Sequence, residues 1–143
     1  MVLIMYMVTC LSNLLAILYK KSPELCSLLK SNSPENQYKI SLSKAGFPTL
    51  AIVFPDGTSR ALHSKYNPIK EAAQLIDTSI SNHSNYILNG LGLGYHLIEL
   101  IKKSSQKARI IVIEKNPSIV HLAFTYNDLS SVIKHPGVSF HIG

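Results

Sequence analysis

The chain has no tryptophan, two cysteines, and eight acidic residues against 14 basic ones in a length of 143. Each shortage excludes something. Cys10 and Cys26 form no C-x-x-C pair, which rules out a disulfide scaffold or a zinc ribbon and predicts two buried, reduced thiols. The histidines (His63, His83, His96, His121, His135 and His141) fall into no H-x-x-x-H or H-E-x-x-H pattern, so no metal site is expected. The shortage of acid leaves a net charge of +6, but the lysines are scattered and not interleaved with aromatics in one stretch. A nucleic-acid footprint is a basic stripe on one face, so no nucleic-acid partner is expected. Repeats and low-complexity stretches are also missing. What remains is an ordinary globular composition, 46% apolar, long enough for one domain or one domain with a small appendage.

The longest uncharged run is residues 1–19, just sufficient to span a bilayer. Its flanking charges, Lys20 and Lys21, follow the run where a secretory signal would have them precede it. Thr9, Ser12 and Asn13 interrupt it. From Leu11 the pattern turns amphipathic through Leu14, Leu15 and Leu18, and resumes with Leu25, Leu28 and Leu29 after a Ser22-Pro23 helix start. The reading is a pair of core helices, not a membrane anchor, in a cytoplasmic protein.

Beyond the polar breaker at residues 31–36, three short strand-like runs follow: Tyr38–Leu42, Thr49–Phe54 and Ser59–His63. Turn signals at Lys44-Ala45-Gly46-Phe47-Pro48 and Pro55-Asp56-Gly57 separate them, which predicts an antiparallel meander. A meander this small cannot stand alone and must pack on something, the N-terminal helices being the expected partner. Asn67 and Pro68 have the chemistry of a helix cap and first turn, with Ile69, Ala72, Ala73 and Ile76 as the buried stripe. From residue 85 the pattern changes class. Strand Tyr86-Ile87-Leu88, a helix from Tyr95 to Lys103, strand Arg109–Glu114, a helix after Asn116-Pro117 and strand Val138–Ile142 make a βαβαβ unit. The unbroken apolar run of Arg109–Glu114 predicts a strand buried on both faces of a parallel sheet. The fold class is therefore α/β: N-terminal helices and a small antiparallel meander in residues 1–84, then a partial Rossmann-like parallel sheet, a nucleotide-binding half-domain, in residues 85–143.

Gly90, Gly92 and Gly94 lie where the first strand of that unit enters its helix. Glycine there lets the backbone turn sharply and approach a ligand, and the helix N-terminus favours phosphate or carboxylate. The spacing is G-x-G-x-G, with Tyr95 where a dinucleotide fingerprint has its third glycine. Glu114 ends the next strand about 20 residues on, the place from which an acid hydrogen-bonds ribose hydroxyls. Gly90, Gly92, Gly94 and Glu114 are the candidate ligand-binding residues, with Tyr95, His96, Asn116 and His63 as further contacts. The alternative is that the glycines serve strand–helix packing and Glu114 faces water. Ser64, Tyr66 and Asn67, beside His63, are read as turn and cap residues. No acid in the local sequence orients His63, so no residue is assigned a catalytic role.

The loop and the downstream acid resemble the S-adenosylmethionine-dependent methyltransferases. This chain departs from them in having Asn89 where an acid is usual, and its last strand is the third, before the region that carries their catalytic residues. A second resemblance spans nearly the whole chain. Asn13-Leu14-Leu15-Ala16 through Pro23-Glu24-Leu25, Ala61-Leu62-His63-Ser64-Lys65-Tyr66-Asn67-Pro68-Ile69-Lys70-Glu71-Ala72, Gly90–His96 and Ile113-Glu114-Lys115-Asn116-Pro117 resemble the N-terminal region of the motility-associated-factor flagellin glycosyltransferases. The middle element is the most specific, having no counterpart in methyltransferases. The resemblance implies an auxiliary module of an enzyme that transfers a nonulosonic acid to Ser or Thr of flagellin, with the catalytic domain elsewhere. The ligand it leaves open is of nucleotide type, S-adenosylmethionine-like or a nucleotide sugar. The partners implied are flagellin or a downstream transferase domain. An assembly role, with an open sheet edge pairing in a homodimer, is the non-enzymatic alternative.

Overall fold

A computed structural model describes residue 19, residues 22–31 and residues 35–143. The expected first helix (Leu11 to Leu18) and Cys10 lie outside the described residues. Helix α1, Pro23–Ser31, buries Leu25, Cys26 and Leu29. Strands β1 (Tyr38–Leu42), β2 (Pro48–Val53) and β3 (Ser59–Ala61) follow and form an antiparallel sheet in that order. Tyr38 pairs with Ile52, and Ala51 with Ala61. The two connections reverse the chain at Gly46 (φ +83°) and Gly57 (φ +82°), a backbone state open mainly to glycine.

Helix α2, Pro68–Ser79, starts as its sequence requires: Asn67 Oδ1 accepts the Lys70 N–H at 3.0 Å and Pro68 occupies the first turn. Ser64 Oγ accepts the N–H groups of Tyr66 and Asn67, forming the turn that leads into it. Then come β4 (Asn85–Asn89), α3 (Tyr95–Lys103), β5 (Arg109–Glu114), α4 (Pro117–Tyr126), the short α5 (Ser130–Lys134) and β6 (Val138–Ile142). β4, β5 and β6 form a parallel sheet in sequence order, with Leu88 beside Val112 and Val112 beside Phe140. The α/β architecture read from the sequence is thus the one found, with α5 as an addition.

One expectation is corrected. β5 is buried on a single face: Ile110, Val112 and Glu114 are covered, whereas Ile111 and Ile113 are 37% and 41% exposed. Ile87 on β4, on the same bare face, is 70% exposed. Crossovers between parallel neighbours are right-handed, so steps taken in one direction place α3 and α4 on one side. A doubly wound sheet gains its second layer from strands added in the opposite direction. None is present among the described residues. Among the described residues β4 has no strand on its outer side. Ser84 C=O accepts from Arg109 N–H and Gly90 N–H donates to Ile113 C=O. Parallel ladders alternate, so the backbone groups of Asn85, Ile87 and Asn89 point to the open edge.

One apolar cluster runs through both parts of the chain, from Leu25 and Leu50 to Leu97, Val112 and Phe124. The meander packs on the parallel half, while α1 packs against α4. Tyr95 Oη donates to Pro48 C=O at 2.7 Å, and Asn116 Nδ2 donates to Tyr38 Oη at 2.6 Å.

Candidate functional site

A cavity of about 630 Å³ lies between the last turns of α2 and the open edge of β4, under the glycine loop. Its size suits a small organic ligand or cofactor. Leu75, Ile76 and Ile80 from α2 face Tyr86 and Leu88 from β4, and the meander contributes Ile52 and Leu62. Gly90, Gly92, Glu114, His96 and His63 all line it. Gly94, Tyr95 and Asn116 are not among its walls.

The loop holds itself in place. Gly90 N–H donates to Ile113 C=O at 2.8 Å and Gly94 N–H to Leu91 C=O at 3.0 Å. Leu91 N–H donates to Glu114 Oε2 at 2.8 Å, and Leu93 N–H to His63 Nε2 at 2.8 Å. Gly92 N–H is the one loop amide without a hydrogen-bond partner among the described residues. Glu114, 6% exposed, accepts with both oxygens, Oε1 taking the Asn116 N–H at 2.9 Å. Its carboxylate therefore does not face water; lining the cavity, it fastens the loop after β4 to the loop after β5.

Each glycine has its own reason. At Gly92 (φ +55°) a Cβ would stand 2.6 Å from His63 Cε1 and 2.7 Å from its Nε2. At Gly94 (φ +85°), the N-cap of α3, a Cβ would stand 2.7 Å from Leu129 Cδ2. The first closeness brings the His63 latch against the loop, and the second packs the strand–helix junction. Asn127 Nδ2 fixes the loop from the far side, donating to Leu93 C=O at 2.7 Å.

Tyr95 and Asn116 have structural duties. Tyr95 is buried, and that burial pushes its phenol up to about 12, so it remains a neutral donor to Pro48. Asn116 caps α4, its Oδ1 accepting the Ser118 N–H at 2.8 Å. His63 is 5% exposed and its ring meets Tyr95 edge-on at 5.3 Å. The sequence offered no orienting group for His63 because its partner, the Leu93 amide, lies 30 residues downstream. Nε2 accepts a proton-bearing amide, so the neutral ring carries its own proton on Nδ1, which is buried without a partner. Burial, then the proximity of His96, lowers the His63 pKa from 6.5 to about 4. Burial also lowers that of His96, against the opposing pull of the Glu71 carboxylate.

This shift has a measurable consequence. Between pH 6.5 and about 4 the unfolded chain takes up a proton at His63 and the folded chain does not. Stability is then full above pH 6.5, falls through that window and levels below it, by about 3 kcal/mol in all. Urea midpoints taken from pH 7.5 to 4 should show the decline, and His63→Gln, which keeps an acceptor for Leu93, should flatten it. An equal slope in both proteins would sink the assignment.

Among the described residues no cluster of His, Cys, Asp and Glu could hold a metal ion, and no helix is long and apolar enough to cross a membrane. No family model matches the chain. It is 32% identical over 102 residues to an uncharacterized protein of Treponema pallidum (strain Nichols), covering 68% of this chain and 33% of that protein. Its fold is shared with the MAf glycosyltransferase from Magnetospirillum magneticum AMB-1, at a TM-score of 0.71 and 14% identity. The superposition covers 94% of this chain and 27% of that one. The chain thus spans about a third of the curated relative and about a quarter of the solved enzyme.

Proposed function

We propose that this chain is the N-terminal, auxiliary Rossmann-like domain of a flagellin-type protein O-glycosyltransferase, a nonulosonic acid transferase whose catalytic centre lies outside it. The observation that carries this reading is the extent of the fold match. It covers 94% of the chain, so it takes in the meander as well as the parallel half, where a general Rossmann likeness would stop at residue 85. The glycine loop and the cavity beneath it form the ligand site of this domain, and the ligand is of nucleotide type. Its supports are the position of the cavity at the carboxyl end of a parallel sheet, beside the open edge of β4, and the loop held ready by Glu114 and His63.

The absence of tryptophan offers a clean probe. Leu75 is a half-exposed wall residue, and Leu75→Trp places a single indole at the cavity. Titration with S-adenosylmethionine, CMP, a CMP-sugar and NAD should give saturable emission changes with one of them, matched by calorimetry on the unaltered chain. Silence from all four would reduce the loop to architecture. The transferase assignment is checked separately: a strain lacking this gene should yield flagellin of lower glycan mass, and unchanged flagellin would remove it.

A further inference from the structure

Charge at the cavity wall separates the nucleotide-type ligands from one another. No lysine or arginine stands among the residues lining it, and the one formal charge there is the Glu114 carboxylate. His63 and His96 both line the wall, and burial keeps both rings uncharged near neutrality. In a phosphate-binding loop the free amides converge on an anion. Here Gly90, Leu91, Leu93 and Gly94 have already given theirs to protein acceptors. Leu91 donates to a carboxylate, so the anion at this loop is the side chain of Glu114 itself. A phosphate entering beside it would meet a like charge in a partly enclosed apolar cavity, where the repulsion is several times stronger than in water. The donors left over among the cavity-lining residues are the Gly92 amide and, in the first turn of α3, the His96 amide, both uncharged and suited to single acceptor atoms.

We infer that the cavity takes a nucleoside or nucleoside-like molecule whose bound part is neutral or cationic, and that it rejects phosphate-bearing forms of the same base. This rests on the ligand-site reading above and narrows it. The apolar walls from α2 and β4 receive the flat base and sugar, and Glu114 supplies a negative field at the loop end.

Calorimetry with matched pairs tests it: adenosine against AMP and ADP, and cytidine against CMP, at low and at physiological salt. The expected result is at least tenfold tighter binding of a nucleoside than of its own monophosphate. In Asn89→Lys, a substitution at an exposed residue on the cavity rim, that ratio should narrow at least threefold because a cation is now present. Nucleotides that bind as tightly as their nucleosides, or tighter, would overturn the inference and leave the ligand site standing. Failure of every nucleoside and nucleotide to bind would overturn the site and the inference together.

Discussion

Gly137→Ala should leave little or no folded protein, with a loss of at least about 4 kcal/mol, near the low end of total stability for a domain of this size. A Cβ at residue 137 would stand 2.0 Å from the Ala108 carbonyl oxygen and 3.1 Å from its carbon. Both atoms are backbone at the entry to β5, so no rotamer change relieves the clash. The same glycine accepts the Ile110 N–H through its carbonyl at 2.9 Å, the bond that opens the β5–β6 pairing. Moving residue 137 away to make room would break the sheet at that point. The φ angle at residue 137 is not in the left-handed region, so the requirement is one of space and not of conformation. Gly57→Ala is the control: φ is +82° with open space around it, and about 1–2 kcal/mol of conformational strain is all it should show. Urea denaturation of both variants decides it. A Gly137→Ala chain within 1 kcal/mol of the parent would mean that β5 and β6 are further apart than described.

Glu114→Ala should lower stability by about 3–5 kcal/mol, because it leaves the Leu91 and Asn116 amides without acceptors and each orphaned buried donor costs about 1–3 kcal/mol. Glu114→Gln keeps one oxygen but turns an NH₂ group toward the second amide, so an intermediate loss is expected. Hydrogen exchange locates the effect. The Leu91 and Asn116 amides should lose protection in the alanine variant while Val112, in the centre of β5, keeps more of its own. Any ligand bound under the glycine loop should be lost with Leu91. If instead stability is unchanged and only ligand binding falls, Glu114 is a ligand contact of the kind the sequence suggested, and not a fastening.

The difference between those two roles shows where sequence reading stops. Tyr95–Lys103 and Arg109–Glu114 were legible to the residue, because each is bounded by chemistry that acts locally: a glycine before the helix, an acid and an asparagine cap after the strand. The placement of Glu114 at a strand end was legible for the same reason. Its partner was not, since Leu91 is 23 positions away and donates a backbone amide, which every residue but proline carries. His63 is the same case at greater distance. The covering of β5 was misread because an apolar run reports what the side chains prefer and is silent on which elements arrive to cover them; Ile111 and Ile113 stand on the bare face. Helix α5 is not legible in the sequence because five residues are too short for a helical period to show, and Leu129 at its N-cap makes no side-chain cap bond.

The meander was read as an appendage to the N-terminal helices, and the bonds described above give it a different standing. His63 reaches Leu93, Pro48 receives Tyr95 and Tyr38 receives Asn116, while Leu50, fully buried, belongs to the same apolar cluster as Leu97. Each link joins residues far apart in the chain, so none survives when either side comes loose. The change of sequence pattern near residue 85 therefore does not divide the core: one apolar cluster and these bonds run across it. A substitution in the meander reaches the glycine loop through the His63–Leu93 bond and the packing behind it.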